Sequence, residues 1–515
     1  MPHCRQPDHL TQLALRSIGD FMRQTGQKLI ERAVCVDLQK DFTQHGSPST
    51  DSHNSVSECS QHSILPHVCN CEVLQQFLQP GLPQVLANKV ASCLLDALTY
   101  LMKENMYFCS TDEITEHHTI LDVIDMLVVA AIHPRMHELV LYCYPDYLCL
   151  ALCRQLHRLT ELKILKIHAV PNKGIKLAVR DLVGHSADFL KNLVVFIYEN
   201  NCTDSILAVL SKNCKQLEHL GIMFSKKVTD QSVDSIIKFQ NLKILNIWGT
   251  FITKQSCTQL LDMLLKLEDF VSDHKDSLQD VTQCTLGLKS FTTTNLESPH
   301  QLVSLCPHLT QLTLHAVHCT LAPLTALTSL QKLEISNCDF SVIETFILSN
   351  GEQLTSLKLQ EVSAVNMTFI TYCTQLKTLQ LSVCSYGDRN IPFDALSALH
   401  YKNLEHLTIR GYSLRNFDIL ISAYTKLKTL DLLQVPVLRS EVVVDAVTAG
   451  KWKQLEVMSF NECGHVEIET LKFLINSCCN LRKIIWKETD NAGRCELLHL
   501  EQYLKENNFD IEMVL

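Results

Sequence analysis

One short phrase keeps returning between Leu162 and Leu481: a leucine, two residues, a second leucine or its substitute, one residue, then a third apolar side chain. Clear copies begin at Leu162 (LKILKI), Leu217 (LEHLGI), Leu242 (LKILNI), Leu309 (LTQLTL), Leu330 (LQKLEI), Leu354 (LTSLKL), Leu376 (LKTLQL), Leu404 (LEHLTI), Leu427 (LKTLDL) and Leu455 (LEVMSF). Weaker copies fit at Leu193 (LVVFIY), Leu288 (LKSFTT) and Leu481 (LRKIIW). Start-to-start distances run from about 21 to about 31 residues, apart from one of 46 between Leu242 and Leu288. Repetition at such a period constrains the architecture more than any single residue does, because each unit is one small supersecondary element that is stable only among its neighbours.

The phrase reads as a short strand with alternating faces, since successive side chains of a strand point to opposite sides. Leu245 and Ile247 go in, while Ile244, Asn246 and Trp248 go out. The stretches Asp230 to Ile237 and Glu469 to Ser477 have apolar residues at helical spacing, and each leads into the next strand. One such unit cannot bury its own apolar edge, so the units must stack. The expected fold is an α/β leucine-rich-repeat solenoid, a horseshoe, with a helical N-terminal module.

Cysteine adds a second regularity. It stands three residues before the first leucine at Cys214, Cys306, Cys373 and Cys478, and closes the phrase at Cys338, Cys384 and Cys463. An inward Cys at a turn meets backbone groups with its weak polar atom while packing as a small hydrophobe. The segment from Cys214 through Val228, Thr229 and Asp230 resembles the cysteine-containing leucine-rich repeats of many F-box/leucine-rich-repeat proteins. That resemblance covers about two-thirds of the chain. It implies a fold more than a function, because one fold hosts many functions.

Composition narrows the class. Hydrophobic residues make up 46% of 515, with only 15 Gly and 14 Pro, which excludes a mostly disordered chain. The first ten residues show no basic segment followed by an apolar run, so the expected location is cytoplasmic or nuclear. The longest apolar run, Met126 to Ile132, is too short to span a bilayer, and no membrane association is expected. The 23 cysteines follow the repeat period along a long chain, which points to reduced, mostly buried thiols. A net charge of −10 without a long single-sign block argues against nucleic acid as a partner.

Four segments are expected: an N-terminal helical segment at 1–42, a flexible polar insert at 43–63, a helical module at 64–135 and the solenoid with its capping ends at 136–515. In the first, Leu10, Leu13, Ala14, Ile18, Phe21, Met22, Leu29 and Ile30 form an apolar stripe, with Asp8 as N-cap. In the module, Val85, Val90, Leu94, Leu95 and Leu98 belong to one helix, and Ile120, Val123, Ile124, Leu127 and Val128 to another. Pro134 ends the second. Met136 to Tyr142 reads as an atypical first strand, followed by a helix from Asp146 to Leu159, since a terminal repeat closes the exposed end of the core.

Two N-terminal motifs bear on partners. Leu10, Ala14 and Ile18 share one helix face and resemble the elongin C-binding box of cullin–RING ubiquitin ligase receptors. Ala14 stands where that box usually has cysteine, and the nearest match to a cullin box, Leu65-Pro66-His67-Val68, lies far downstream. An amphipathic helix packed on a bundle has the same spacing. The segment Gly81 to Leu95, opening with Leu82-Pro83, looks like the start of an F-box that docks a Skp1-type adaptor. It has Gln84 where an acidic residue is expected, and proline opens the first turn of many helices. Cys59, His62, His67, Cys69 and Cys71 do not match tetrahedral zinc spacing, and no metal is expected.

No P-loop, nucleophile elbow, kinase set, metalloprotease helix or dinucleotide fingerprint is present, so the chain reads as a non-enzyme without cofactor or catalytic residues. What remains is the outer face of the strands, whose outward residues include Met223, Trp248, His315, Glu334, Lys358, Gln380, Arg410, Asp431, Asn461 and Lys487. Stacked repeats align such positions into a concave surface that commonly binds partners. Trp248, His315, Arg410, Asp431 and Lys487 are the candidate contacts, Trp and Arg being enriched at binding hot spots. The expected function is a substrate receptor of a cullin–RING ubiquitin ligase that recruits a protein on this face. The alternative is a leucine-rich-repeat scaffold unrelated to ubiquitin transfer.

Overall fold

The computed structural model of the chain describes residues 10–44, 84–105 and 118–514, except 143, 169, 276, 386–402, 412–423, 436–439, 464–466 and 488–490. The polar insert, apart from its first two residues, lies outside the described residues, as do Asp8, the five-residue Cys/His cluster, and Leu82-Pro83. Two compact units make up the chain, Asp8–Ser256 and Cys257–Leu515.

The first unit begins with three helices: α1 (Leu10–Gln44), α2 (Gln84–Asn105) and α3 (His118–Ala131). Apolar spacing of three and four residues gives each helix a buried stripe. On α1 the stripe is Met22, Gly26, Leu29 and Ile30. Gly26 permits a close approach: a Cβ there would collide with a Leu101 methyl on α2 and stand 3.1 Å from a Leu127 methyl on α3. On α2 the buried positions are Ala87, Val90, Ala91, Leu94, Leu95, Ala97, Leu98, Leu101 and Met102. Within the F-box-like segment, the apolar positions Ala87, Val90, Ala91, Leu94 and Leu95 are thus spent in packing.

Five strands follow in that unit: β1 (Glu138–Val140), β2 (Ile164–Ile167), β3 (Val195–Tyr198), β4 (His219–Gly221) and β5 (Ile244–Asn246). Each pairs in parallel with the next. Between them the helix starts are clamped to one another. Asp146 accepts a hydrogen bond from the Asn172 backbone N–H at 2.8 Å, Asp204 from Thr229 at 2.8 Å, and Asp230 from Thr253 at 2.8 Å. Asn172, Thr203 and Thr229 in turn cap their own helices, accepting from N–H groups that the first turn leaves unpaired. This is the structural work of Val228-Thr229-Asp230.

The second unit carries β6 (Asp269–Val271), β7 (Ser290–Thr294), β8 (Gln311–His315), β9 (Lys332–Asp339), β10 (Ser356–Ser363) and β11 (Thr378–Ser382). It continues with β12 (His406–Arg410), β13 (Thr429–Leu433), β14 (Val457–Asn461), β15 (Lys483–Lys487) and β16 (Glu512–Val514). All pair in parallel in chain order. The register lines up the second apolar residue of every phrase: Leu312, Leu333, Leu357, Leu379, Leu407, Leu430, Met458 and Ile484 form one buried row. The third residues form another, from Leu314 through Ile335, Leu359, Leu381, Ile409, Leu432 and Phe460 to Trp486. The chain is an α/β leucine-rich-repeat solenoid with a helical N-terminal module. β6 and β16 were not anticipated. Leu267-Glu-Asp-Phe-Val, with phenylalanine for the second leucine, sits in the one interval between copies that is about twice the usual length.

Five residues after the first residue of each strand from β3 to β5 and from β7 to β14, the backbone turns left-handed. Asn200, Phe224, Gly249, Asn295, Ala316, Asn337, Glu361, Val383, Gly411, Gln434 and Glu462 all have φ between 45° and 107°. The turn bends the chain off the sheet without losing the ladder. The Val383 N–H still donates to Arg410 O at 2.8 Å, and Gly411 N–H to Leu433 O at 3.0 Å.

The cysteines that flank the phrase fulfil their expected role. Cys214 Sγ donates to Leu190 O at 2.9 Å, Cys384 to Leu359 O at 3.4 Å and Cys463 to Leu432 O at 3.3 Å. Burial pushes the thiols of Cys214, Cys306, Cys373 and Cys478 up to about 12. All described cysteines are free thiols, most of them buried. Among the described residues, no helix is long and apolar enough to cross a membrane.

Candidate protein-binding face

Alternation along the strands of the second unit leaves three outward rows. The first residues of β8 to β12 form one: Gln311, Lys332, Ser356, Thr378 and His406. Thr313, Glu334, Lys358, Gln380 and Thr408 form the second, and His315, Ser336, Gln360, Ser382 and Arg410 the third. Just before the first row stand Thr355, Lys377 and Glu405, each donating its backbone N–H across to the preceding repeat or receiving one from the next.

Across β8 to β12 these rows line an open groove of about 470 Å³, floored by Leu312 and Leu333 and walled by Gln311, Thr313, Lys332, Glu334, Thr355, Ser356, Lys358, Lys377, Thr378, Glu405 and His406. The volume lies within the range of sites that hold a small molecule or a few side chains of a partner. Its two carboxylates are already engaged. Glu334 pairs with Lys358 at 3.3 Å, and Glu405 with Lys428 of the next repeat at 2.6 Å. The Lys428 hydrogen bond holds the Glu405 carboxyl below its ordinary value, and Lys377 and His406 add to that through space.

The sequence candidates distribute unevenly around this groove. Glu334 and Lys358 line it. Arg410 is exposed at the end of β12, next to Asp431 in the middle of β13 but one row away. Asp431 is half-buried, and its Oδ1, like that of Asn461 on β14, is covered without a hydrogen-bond partner among the described residues. His315 closes β8 half-buried, its Nδ1 2.6 Å from Ser336 Oγ. Burial pushes its pKa below the ordinary imidazole value, which favours the neutral ring. Trp248 follows β5 in the first unit, half-buried, with its backbone N–H on Asn246 Oδ1 at 3.1 Å. Lys487 is the last residue of β15. The residues that sequence reasoning missed are Lys332 and Lys377. Carrying the alternation two positions back from Glu334 finds Lys332, whereas Lys377 stands one residue before its strand, where alternation does not reach.

In the first unit the adaptor motif sits on α1, which begins at Leu10. Ala14 is exposed, Ile18 half-buried and Phe21 54% exposed. Their spacing of four and three residues places them on one stripe, about a quarter turn round the helix from Met22, Gly26 and Leu29. Beside the helix, Tyr100 of α2 is 46% exposed and lies under the Arg23 guanidinium at 5.0 Å. The apolar stripe of the motif and the stripe that packs the bundle are therefore different faces.

No protein-family model and no curated protein matches the chain. Among solved structures it is similar to that of the yeast Rad7 and Elc1 complex, at 16% identity over 85% of this chain and 94% of that one, with a TM-score of 0.39. It is also similar to an internalin of Listeria monocytogenes, at 17% identity over 67% and 95%, with a TM-score of 0.37. A third is a leucine-rich-repeat protein of Leptospira interrogans, at 14% identity over 74% and 93%, with a TM-score of 0.32.

Proposed function

We propose that the chain is a non-enzymatic protein-binding adaptor, a substrate receptor that docks on a cullin–RING ubiquitin ligase through α1 and recruits a protein on the outward face of its strands. The carrying observation is the apolar stripe of exposed Ala14, half-buried Ile18 and exposed Phe21, on a helix that packs its bundle with another face. An exposed apolar stripe on a long helix is the form in which a helix offers itself to a partner's groove. Elongin C is the adaptor whose binding box Leu10, Ala14 and Ile18 resemble, and Phe21 continues that face. A Skp1-type adaptor receives less support, because the apolar positions of α2 are consumed inside the bundle. The mechanism is proximity: holding a target beside a separate catalyst raises the effective concentration of its reactive groups.

The test is affinity purification of the tagged full-length chain and of its Phe21→Asp and Ile18→Asp variants, with circular dichroism to verify folding. Elongin C is expected with the parent chain and is lost from both variants. Recovery of neither elongin C nor a Skp1-type adaptor sinks the ligase reading and leaves a scaffold unrelated to ubiquitin.

A further inference from the structure

The groove across β8 to β12 carries a charge pattern that selects a partner. We infer that it is the seat for an acidic peptide segment, one that places a carboxylate over Ser356 between Lys332 and Lys377. This inference rests on the adaptor reading, and names the chemistry of what the adaptor holds.

Glu334 is matched by Lys358, and Glu405 by Lys428. That leaves Lys332 and Lys377, both exposed, with no described carboxylate within ion-pairing distance. Their places are fixed by register. Lys332 pairs with Ser356, and Ser356 pairs with Thr378, the residue next to Lys377. Two strand spacings separate the lysines, roughly 10 Å between backbones, and both side chains are long enough to converge on an anion between them. Thr355 and Ser356 occupy the strand in the middle. The Thr355 hydroxyl already donates to Gln331 O at 3.2 Å, so Ser356 supplies the hydroxyl left to donate.

The opposite assignment fails on charge. A basic segment would meet two carboxylates that already hold lysines, beside two further lysines that make no ion pair at contact distance among the described residues, Lys377 acting on Glu405 only through space. The chain as a whole carries −10, so attraction for an acidic partner has to be local, and this groove supplies it. Such a site is electrostatic in selection and salt-sensitive, because its cations are exposed.

The probe is a fluorescein-labelled dodecapeptide alternating Glu and Ser, beside Gln/Ser and Lys/Ser counterparts, titrated into the full-length chain and read by anisotropy. The Glu/Ser peptide is expected to bind at least about tenfold more tightly than the Gln/Ser peptide, with affinity falling as salt rises. Lys332→Glu and Lys377→Glu together are expected to reverse the preference. Lys472→Glu, on the helix Ile468–Ser477, leaves it unchanged. Equal binding of Glu and Gln peptides, absence of binding, or indifference to the paired charge reversal overturns the inference.

A photo-crosslinking residue at Gln311, used in cells, separates this from the adaptor reading. A crosslinked protein segment rich in Asp and Glu supports both. A crosslinked segment without them overturns the acidic assignment and leaves the adaptor standing. Acidic-peptide binding in solution with no protein crosslinked in cells overturns the adaptor reading alone.

Discussion

The helical bundle α1 to α3 and the ladder β8 to β14 both bury apolar stripes, and they leave opposite surfaces behind. In the ladder the period is two, so inward apolar positions alternate with outward ones, and across β8 to β12 the outward face is mostly hydroxyls, amides, lysines and carboxylates. In the bundle the period is 3.6, and α1 carries more apolar residues than its packing face uses, so Phe21 stays 54% exposed and Ala14 lies open beside it. The difference teaches that one chain presents an apolar surface suited to a constant partner and a charged surface suited to selection among partners.

The sharpest way to break the comparison is to delete from the ladder. Leu357 is fully buried between Leu333 and Leu379, in a row where each leucine packs on the repeats either side. Leu357→Ala is expected to cost roughly 2–5 kcal/mol in urea unfolding. A cost below about 1 kcal/mol would mean that the row is loosely packed and that register, not burial, holds the repeats.

In the bundle the larger harm comes from adding. At Gly26 even a Cβ meets Leu101 and Leu127 closely, so Gly26→Leu drives α1 away from both helices. The expected cost is about 1–3 kcal/mol by the same measurement. Because helix propensity favours leucine over glycine by nearly 1 kcal/mol, a neutral or stabilising result would show that α1 is not held by this face, and the separation of its two stripes would lose its basis.

How much of this was legible follows from which forces act on one residue at a time. The inward rows were readable because Leu333 or Leu357 is fixed by alternation alone. The flanking cysteines were readable because Cys214 and Cys384 recur at fixed offsets and meet backbone carbonyls. The left-handed position five residues after each strand's start was not, since backbone geometry fixes it and the residue type is free to be Asn200, Ala316, Glu361 or Val383. On α1 the apolar stripe was legible as one broad face, and only packing against Leu101 and Leu127 divides it in two. For the outer face, alternation named Glu334 and Lys358, but whether a charge is matched depends on the neighbouring repeat, which the register supplies.

That hidden position gives a smaller, opposite effect. Val383 holds φ at 54° with its side chain 62% exposed. A branched Cβ sits badly there, whereas asparagine tolerates the conformation and occupies the equivalent place at Asn200, Asn295 and Asn337. Val383→Asn is expected to stabilise by roughly 0.5–1 kcal/mol. A destabilised variant would show that Val383 packs usefully against Gly411, whose Cβ position lies 3.3 Å from the Val383 Cα.

The smallest effect concerns the charges that the ladder matches within itself. Glu405 accepts a hydrogen bond from Lys428 at 2.6 Å, and that contact depresses its folded pKa below the ordinary 4.5. A depressed carboxyl contributes stability above its unfolded pKa and loses it as pH falls through the folded one. Glu405→Gln is therefore expected to melt slightly below the parent chain at pH 7, by about 1 °C or less for an exposed pair. The gap closes as pH drops below 4.5 and narrows in high salt. A gap that widened toward acid pH would assign Glu405 a raised pKa and an unmatched charge. The groove would then hold a free carboxylate beside Lys377, and its contrast with the uncharged stripe of α1 would no longer favour an acidic partner.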